Sequence, residues 1–102
     1  MKIYKISQNI NNNYDTYDSA VVIAENEEDA KRIHPDPNWM DGGFYDEDKK
    51  EFWTHYSNSK GIYLFEGGYG SWTNDLTKIK AEYLGESTEK ERRVVIASFN
   101  AG

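Results

Sequence analysis

The sequence predicts a small α+β domain, in which an antiparallel sheet carries one short helix and an irregular segment precedes the last two strands. Two kinds of pattern support this fold class. Apolar residues stand in short unbroken runs or alternate with polar residues, which is typical of strands. A single stretch carries the capping and charge signals of a helix. The 102 residues suffice for one domain, residues 1–102, with one modest core.

The first half of the chain predicts two strands and the helix. Residues 1–10 are expected to form a strand that ends in an asparagine-rich turn. Residues 19–24 form an unbroken apolar run, which is typical of a strand buried on both faces. Asn26 is expected to cap a helix over residues 27–34, and Pro35 ends this helix because proline has no N–H to continue it.

The C-terminal part predicts two further strands. Residues 78–84 predict a strand, because Lys78, Lys80 and Glu82 alternate with Ile79, Ala81 and Tyr83, so that every second side chain shares a face. Residues 85–92 form a charged loop of the kind that closes a hairpin. The apolar run over residues 94–99 predicts that the last strand is a central strand of the sheet.

Suppose that the first two strands form an antiparallel hairpin, that the last two do the same, and that strands two and four pair antiparallel. Several polar and aromatic segments should then meet at one end of the sheet. These are the start of strand two, the end of the helix, the approach to strand three and the end of strand four. Their positions are residues 14–19, His34, residues 72–77 and residues 99–102. Loops held by a rigid sheet commonly carry binding sites, so this end is the expected location of function.

Most of the charge and of the aromatic residues lie in one segment, residues 34–77. This segment has three basic and eight acidic residues, a net charge of −5 out of −6 for the chain, and ten of the 15 aromatic residues. Within it, residues 61–66 suggest a short strand and residues 48–55 a helical turn. Its aromatic residues fit either a second layer over the sheet or an interaction surface, since tyrosine and tryptophan serve in both.

The composition argues against several classes of function. The chain has no cysteine, no apolar run of membrane-spanning length and no signal-peptide core. Its net charge of −6 argues against direct binding to nucleic acid. The sequence lacks the common nucleophile, zinc-protease and phosphate-loop motifs, and its paired acids are typical of solvated loops. We therefore expect no enzymatic activity, no cofactor, no metal site and no membrane association.

Two groups of residues are candidates for binding. The near-repeat Tyr-Asp-Thr, Tyr-Asp-Ser offers aromatic faces for stacking and carboxylates that accept hydrogen bonds, although it could simply lead into a strand and satisfy backbone groups. The predicted ligand site consists of Tyr14, Asp15, Thr16, Tyr17, Asp18, Ser19, Trp72, Arg93, Ser98 and Asn100. The alternative is an acidic partner-binding surface that consists of Asp46, Glu47, Asp48 and Trp53.

The two ends of the chain carry a set of recognisable motifs. They are YDTYDSAVV in residues 14–22, IHP in residues 33–35, Trp72, YLGE in residues 83–86 and ASFNAG in residues 97–102. With these motifs the chain resembles a family of small phage-encoded proteins without an established active site. The resemblance covers both ends of the chain, whereas the segment between them is where such proteins vary in length.

The resemblance implies a phage protein that acts in the host cytoplasm, where small non-enzymatic phage proteins often counter host defence. One expectation is a homo-oligomer that binds and sequesters a host immune signalling nucleotide at the predicted ligand site. The alternative expectation is an acidic inhibitor that binds a host defence protein by mimicking nucleic acid. A third is a structural or packaging accessory of the phage particle.

Overall fold

The computed structural model describes residues 1–9, 16–36, 39, 42–55, 62–64 and 72–100. These residues form an α+β fold with two antiparallel sheets and one short α-helix, which confirms the predicted class. The elements along the chain are β1 (Lys2–Ser7), β2 (Thr16–Ala24), α1 (Glu27–Lys31), β3 (Phe44–Asp46), β4 (Glu51–His55), β5 (Ile62–Leu64), a 3₁₀ turn (Leu76–Lys78), β6 (Lys80–Glu86) and β7 (Arg93–Asn100).

The main sheet has the strand order β6-β1-β2-β7, and all neighbouring strands are antiparallel. The prediction that the last two strands form a hairpin is wrong, because β6 and β7 lie on opposite edges of this sheet. The residues that follow β6 instead bond to the residue that precedes β1. The Ser87 N–H donates a hydrogen bond to the Met1 carbonyl oxygen at 2.8 Å, so β1 takes the position that a hairpin partner would occupy.

β7 is an edge strand, which contradicts the central position predicted from its apolar run. Val95 and Ile96 are 46% and 66% exposed, whereas Val94 and Ala97 pack against the core. The run misleads because apolar side chains that face solvent give the same sequence pattern as a strand buried on both faces. β2 does lie between β1 and β7, and most of its side chains are buried. It is not buried on both faces, however, since Ser19 and Val21 are only half-buried.

The predicted convergence at one end of the main sheet is confirmed for the described residues. Thr16 at the start of β2 pairs with Asn100 at the end of β7, and Ser7 pairs with Lys80 at the start of β6. His34 reaches the same end, where its ring lies edge-on to the Tyr17 ring at 6.3 Å between centroids. The convergence needs no hairpin between β6 and β7, because it follows from the antiparallel pairing of β7 with β2 and of β6 with β1.

The helix begins at the predicted cap and packs on the main sheet. The Asn26 side-chain oxygen accepts a hydrogen bond from the Asp29 N–H at 2.8 Å. α1 ends at Lys31 rather than at residue 34, because the backbone leaves helical geometry at Arg32, where φ is −96° and ψ is 15°. Ala30 remains fully buried in the core, so even this short helix shields part of the sheet.

β3, β4 and β5 form a second sheet with β4 at its centre. The helical turn predicted over residues 48–55 is wrong, since the chain makes a turn and then enters β4. Phe52 and Thr54 are buried and the residues before each are partly exposed, which is the two-residue period of a strand. The short strand predicted within residues 61–66 is confirmed as β5.

Aromatic residues join the two sheets into one core. Trp39 and Phe52 are 1% and 0% exposed, and their ring centroids lie 5.5 Å apart in an edge-on arrangement. Gly43 permits this packing, because a Cβ atom there would lie 2.0 Å from the Trp39 carbonyl oxygen. Trp72 is buried in the same cluster. These residues of the segment 34–77 therefore form the second layer over the main sheet.

Replacing Phe52 by alanine is expected to lower the free energy of unfolding by about 3–5 kcal/mol, because it leaves a cavity between the two sheets. Urea unfolding followed by tryptophan fluorescence measures the loss. Phe44→Ala is the matched control on the neighbouring strand, since Phe44 is 38% exposed and its loss should cost less than about 1 kcal/mol. Equal losses in the two variants would contradict this account of the core.

Candidate functional site

The described helix and second sheet cover the same face of the main sheet. Tyr4 and Ile6 of β1 and Ala20 and Val22 of β2 belong to the core cluster that includes Ile33. Because side chains of a strand alternate between faces, the residues between them point to the other face. Lys5, Ser7, Ser19 and Val21 lie on this open face and are exposed or half-buried. Ile3 and Ile23 continue the same face toward the other end of the sheet, where Ile23 is buried.

The register of the strands arranges the side chains of the open face in rows. Directly opposite residues in an antiparallel sheet point to the same face and lie close together. From β6 to β7, the first two rows are Lys80–Ser7–Ser19–Ser98 and Glu82–Lys5–Val21–Ile96. Three hydroxyls therefore lie side by side across three strands, next to a row that has a lysine and two apolar side chains.

A shallow groove of about 350 Å³ lies over β2 and β7 on the open face. Its lining includes Lys5, the Ser19 and Ser98 hydroxyls, and the apolar side chains of Val21 and Ile96. An ammonium group and hydroxyls can bond to phosphate or sugar oxygens, and apolar side chains can pack against a flat ring. The volume lies at the lower end of the range of roughly 300–1,000 Å³ typical of small-molecule sites. We call this site the open-face groove.

The segment 14–19, predicted as a recognition strip, contributes to the groove only through its last residue. Thr16 and Tyr17 are buried, and Tyr17 belongs to the core cluster. A register shift between Tyr17 and Ser19 places one additional residue, Asp18, in β2 opposite β7. This bulge allows Tyr17 to point into the core although Ser19 points to the open face. Tyr14 and Asp15 lie outside the described residues.

The other residues of the predicted ligand site have separate positions. Trp72 is 4% exposed and packs in the core. Ser98 lines the open-face groove, and Asn100 pairs with Thr16 through the backbone. Arg93 pairs with Ile23 near the far end of β7 and forms an ion pair with Glu89 at 2.9 Å. The structure therefore brings Ser19 and Ser98 together but separates them from Arg93.

Sequence reasoning missed Gln8, whose hydrogen bonds connect the end of β1 with β2 and with the segment before β6. Its side-chain Nε2 donates to the Tyr17 carbonyl oxygen at 2.9 Å, and its Oε1 accepts from the Thr73 N–H at 2.8 Å. Its own N–H donates to the Asp18 carbonyl oxygen at 3.2 Å. A single glutamine after a strand carries no sequence signature, because the three partners come together only in the fold.

Sequence reasoning also missed the other side chains of the groove. Lys5 lies between two core residues of β1, and Val21 and Ile96 lie within apolar runs. The alternation of Lys5 and Ser7 with Tyr4 and Ile6 was the available signal, since it assigns the first pair to a solvent-facing side. Their proximity to Ser98 depends on the pairing of β2 with β7, which no local pattern specifies.

The predicted acidic surface is a turn between β3 and β4 whose charges are partly engaged. The Asp46 carboxylate accepts hydrogen bonds from the N–H groups of Asp48 and Lys49, each at 2.9 Å. Glu47 forms an ion pair with Arg32, which lowers the pKa of the Glu47 carboxyl group through hydrogen bonding. The Lys49 ammonium lies 4.4 Å from the centre of a Trp53 ring. Local partners therefore reduce the negative charge that the turn presents to a partner.

A second cleft, of about 520 Å³, lies between this turn and the 3₁₀ turn. Its polar groups largely bond to each other. The Tyr45 hydroxyl donates to the Asn74 carbonyl oxygen at 2.9 Å, and the Asp75 carboxylate accepts from both the N–H and the hydroxyl of Thr77. These bonds stabilise the approach to β6, so we assign this cleft a structural role.

His34 is a buried, neutral residue of the core. It is 2% exposed, its Nδ1 accepts a hydrogen bond from the Asp36 N–H at 3.0 Å, and Phe52 packs edge-on against its ring at 5.3 Å. Burial lowers the pKa of His34 to about 3, because the charged imidazolium would lose its hydration. His34 thus stabilises the junction of the two sheets in its uncharged form.

Comparison with protein-family models, with curated proteins and with solved structures gives no match for this chain. Among the described residues, no group of three or more His, Cys, Asp or Glu side chains is arranged to hold a metal ion. No helix in the described part of the chain is long and apolar enough to span a membrane. Any assignment of function therefore depends on the geometry of the sheet and on the motifs at the two ends of the sequence.

The neutral state of His34 makes stability depend on pH. The ordinary pKa of histidine is 6.5, so the unfolded chain binds a proton below this pH whereas the folded chain does not until about pH 3. Stability is therefore lost as the pH falls, and His34 should account for about 2 kcal/mol between about pH 7.5 and about pH 5.

Urea unfolding of the wild type and of a His34→Leu variant at both pH values measures this effect. The variant is expected to lose about 2 kcal/mol less than the wild type over the same pH change, because leucine does not titrate. Other titrating groups are common to both proteins and cancel in the comparison. The same pH dependence in both proteins would contradict a neutral buried imidazole.

Proposed function

We propose that this chain is a phage-encoded, non-enzymatic anti-defence protein that sequesters a host immune signalling nucleotide in the open-face groove. One juxtaposition supports the nucleotide site. The hydroxyls of Ser19 and Ser98 occupy paired positions on β2 and β7, and Lys5, Val21 and Ile96 complete the lining beside them. The phage origin and the action in the host cytoplasm rest on the resemblance of the motifs in residues 14–22 and 97–102.

The chemistry of the groove suits a nucleotide in two parts. Lys5 and the two hydroxyls offer a positive charge and hydrogen-bond donors to phosphate oxygens. Val21 and Ile96 offer an apolar surface to the base. The first two rows of the open face contain two lysines and one glutamate, so a phosphate group meets less repulsion there than the net charge of −6 suggests.

The shallowness of the groove bears on the assembly. A small-molecule site commonly buries about 70–90% of its ligand, which a groove of about 350 Å³ on an open sheet face does not achieve alone. Sequestration requires slow release, and release slows as more of the ligand is enclosed. We therefore propose that the active form is a homo-oligomer in which a second copy covers the ligand.

Binding of cyclic and linear adenine nucleotides should raise the thermal unfolding midpoint of the protein, and calorimetric titration then gives the dissociation constant. Lys5→Gln is expected to weaken binding about tenfold or more, because it removes a charge-assisted hydrogen bond to phosphate. Lys49→Gln is the matched control, since Lys49 lies on the turn of the second sheet and outside the groove.

Two outcomes would overturn this proposal. The first is the absence of stabilisation by every nucleotide tested in protein that circular dichroism shows to be folded. The second is a loss of affinity in Lys49→Gln as large as that in Lys5→Gln, which would assign the ligand to the second sheet.

An acidic inhibitor of a host protein is the second candidate, and one observation favours it. Glu47 and Asp48 are exposed on the turn between β3 and β4.

If this turn binds a host factor, the double variant Glu47→Gln, Asp48→Asn should lose most of the binding, because two carboxylates disappear. Asp46 is kept, since its carboxylate caps the turn. Pull-down of the host factor by the double variant at wild-type strength would exclude this candidate.

A further inference from the structure

The two edges of the main sheet differ in charge. The edge strand β6 carries Lys80, Glu82 and Glu86, and its register with β1 shifts between Ile3 and Tyr4. Charged side chains and irregular pairing are the devices by which proteins prevent edge strands from pairing with other chains. β7 carries only one charged residue, Arg93, at its first position. The pairing of β7 with β2 is also irregular, with register shifts between Tyr17 and Ser19 and between Val21 and Val22. The two edges therefore differ in charge rather than in regularity, and the edge of β7 lacks the charged side chains of β6.

β7 also exposes apolar side chains, and its outer edge has no partner strand in the described part of the chain. Val95 and Ile96 are 46% and 66% exposed, and the outer edge of β7 borders no other strand there. Such an edge presents unpaired backbone N–H and C=O groups beside apolar surface, which favours the addition of another strand. β6 exposes Tyr83 and Leu84 to a similar extent, 53% and 51%, but Glu82 and Glu86 flank this pair in the strand.

We infer that two copies of this chain associate by pairing their β7 strands antiparallel, so that the two main sheets form one continuous sheet across a two-fold axis. The charges of β7 fit a second copy. Antiparallel pairing of identical strands places the two Arg93 residues at opposite ends of the interface, so no like charges face each other. β7 has a net charge of +1 and β6, with one lysine and two glutamates, −1, so an acidic chain meets less self-repulsion at β7.

This pairing would bring the two open-face grooves together. Ile96 and Ser98 line the groove from β7, so the groove of each copy would border the new pair of strands. The partner copy then extends the floor that one chain provides, and a ligand could be enclosed between two equivalent sites. This consequence rests on the proposed nucleotide site, whereas the association of β7 strands does not.

Sedimentation velocity of the ligand-free protein, from low micromolar to several hundred micromolar concentration, tests the association. The wild type is expected to approach twice the monomer mass of 11.8 kDa as concentration rises. Val95→Lys and Ile96→Lys should each raise the dimer dissociation constant at least about tenfold, since a lysine at the paired edge resists burial. Leu84→Lys is the matched control on the opposite edge, and it should dimerise like the wild type.

Hydrogen exchange of the wild type gives an independent measure that needs no variant. Amides of β7 that do not bond to β2 should exchange more slowly at high protein concentration, and the exchange of the β6 amides should not change.

A wild type that stays monomeric at every concentration would overturn the proposal and leave the β7 edge to a strand of another protein. Loss of the dimer in Leu84→Lys but not in the β7 variants would overturn it in favour of β6. A dimer without nucleotide binding would contradict only the proposed function.

Discussion

In the described part of the chain, α1 and the second sheet cover one face of the main sheet, and the position of the open-face groove follows from this constraint. A strand with a two-residue period divides its side chains between the core and the opposite face. On β1 the core side carries Tyr4 and Ile6, and the open side carries Lys5 and Ser7. The paired strands hold the hydroxyls and the lysine of the open face in register without a loop to position them.

The cover itself depends on the contact between His34, Trp39 and Phe52. His34 follows α1 in the chain, and Phe52 belongs to β4 of the second sheet. The contact therefore connects the helix with the second sheet. Its histidine must remain neutral, since an imidazolium buried between aromatic rings would lose its hydration. The second sheet also places its acidic turn near Arg32, and Glu47 of this turn forms an ion pair with Arg32. The acidic side chains of the turn are therefore not all free.

The groove and the β7 edge are two parts of one exposed region. Ile96 contributes to both, since it lines the groove and is 66% exposed on β7. Neighbouring apolar side chains that are exposed together are typical of ligand grooves and of protein interfaces. The proposed nucleotide and the proposed second copy would thus each cover part of the same exposed surface.

Local patterns in the sequence predict the fold class and the cap of the helix, because apolar periodicity and an asparagine before a charged turn act within a few residues. They also predict residues 19–24 of β2, although the strand begins earlier, at Thr16. The sequence also located Ser19 and Ser98 as candidates. It is the tertiary fold that places β7 at an edge, Tyr17 and Trp72 in the core, and Lys5 beside Ser98. These facts depend on which strands pair and on a bulge at Asp18, and pairing is set by the packing of the whole sheet rather than by any one segment.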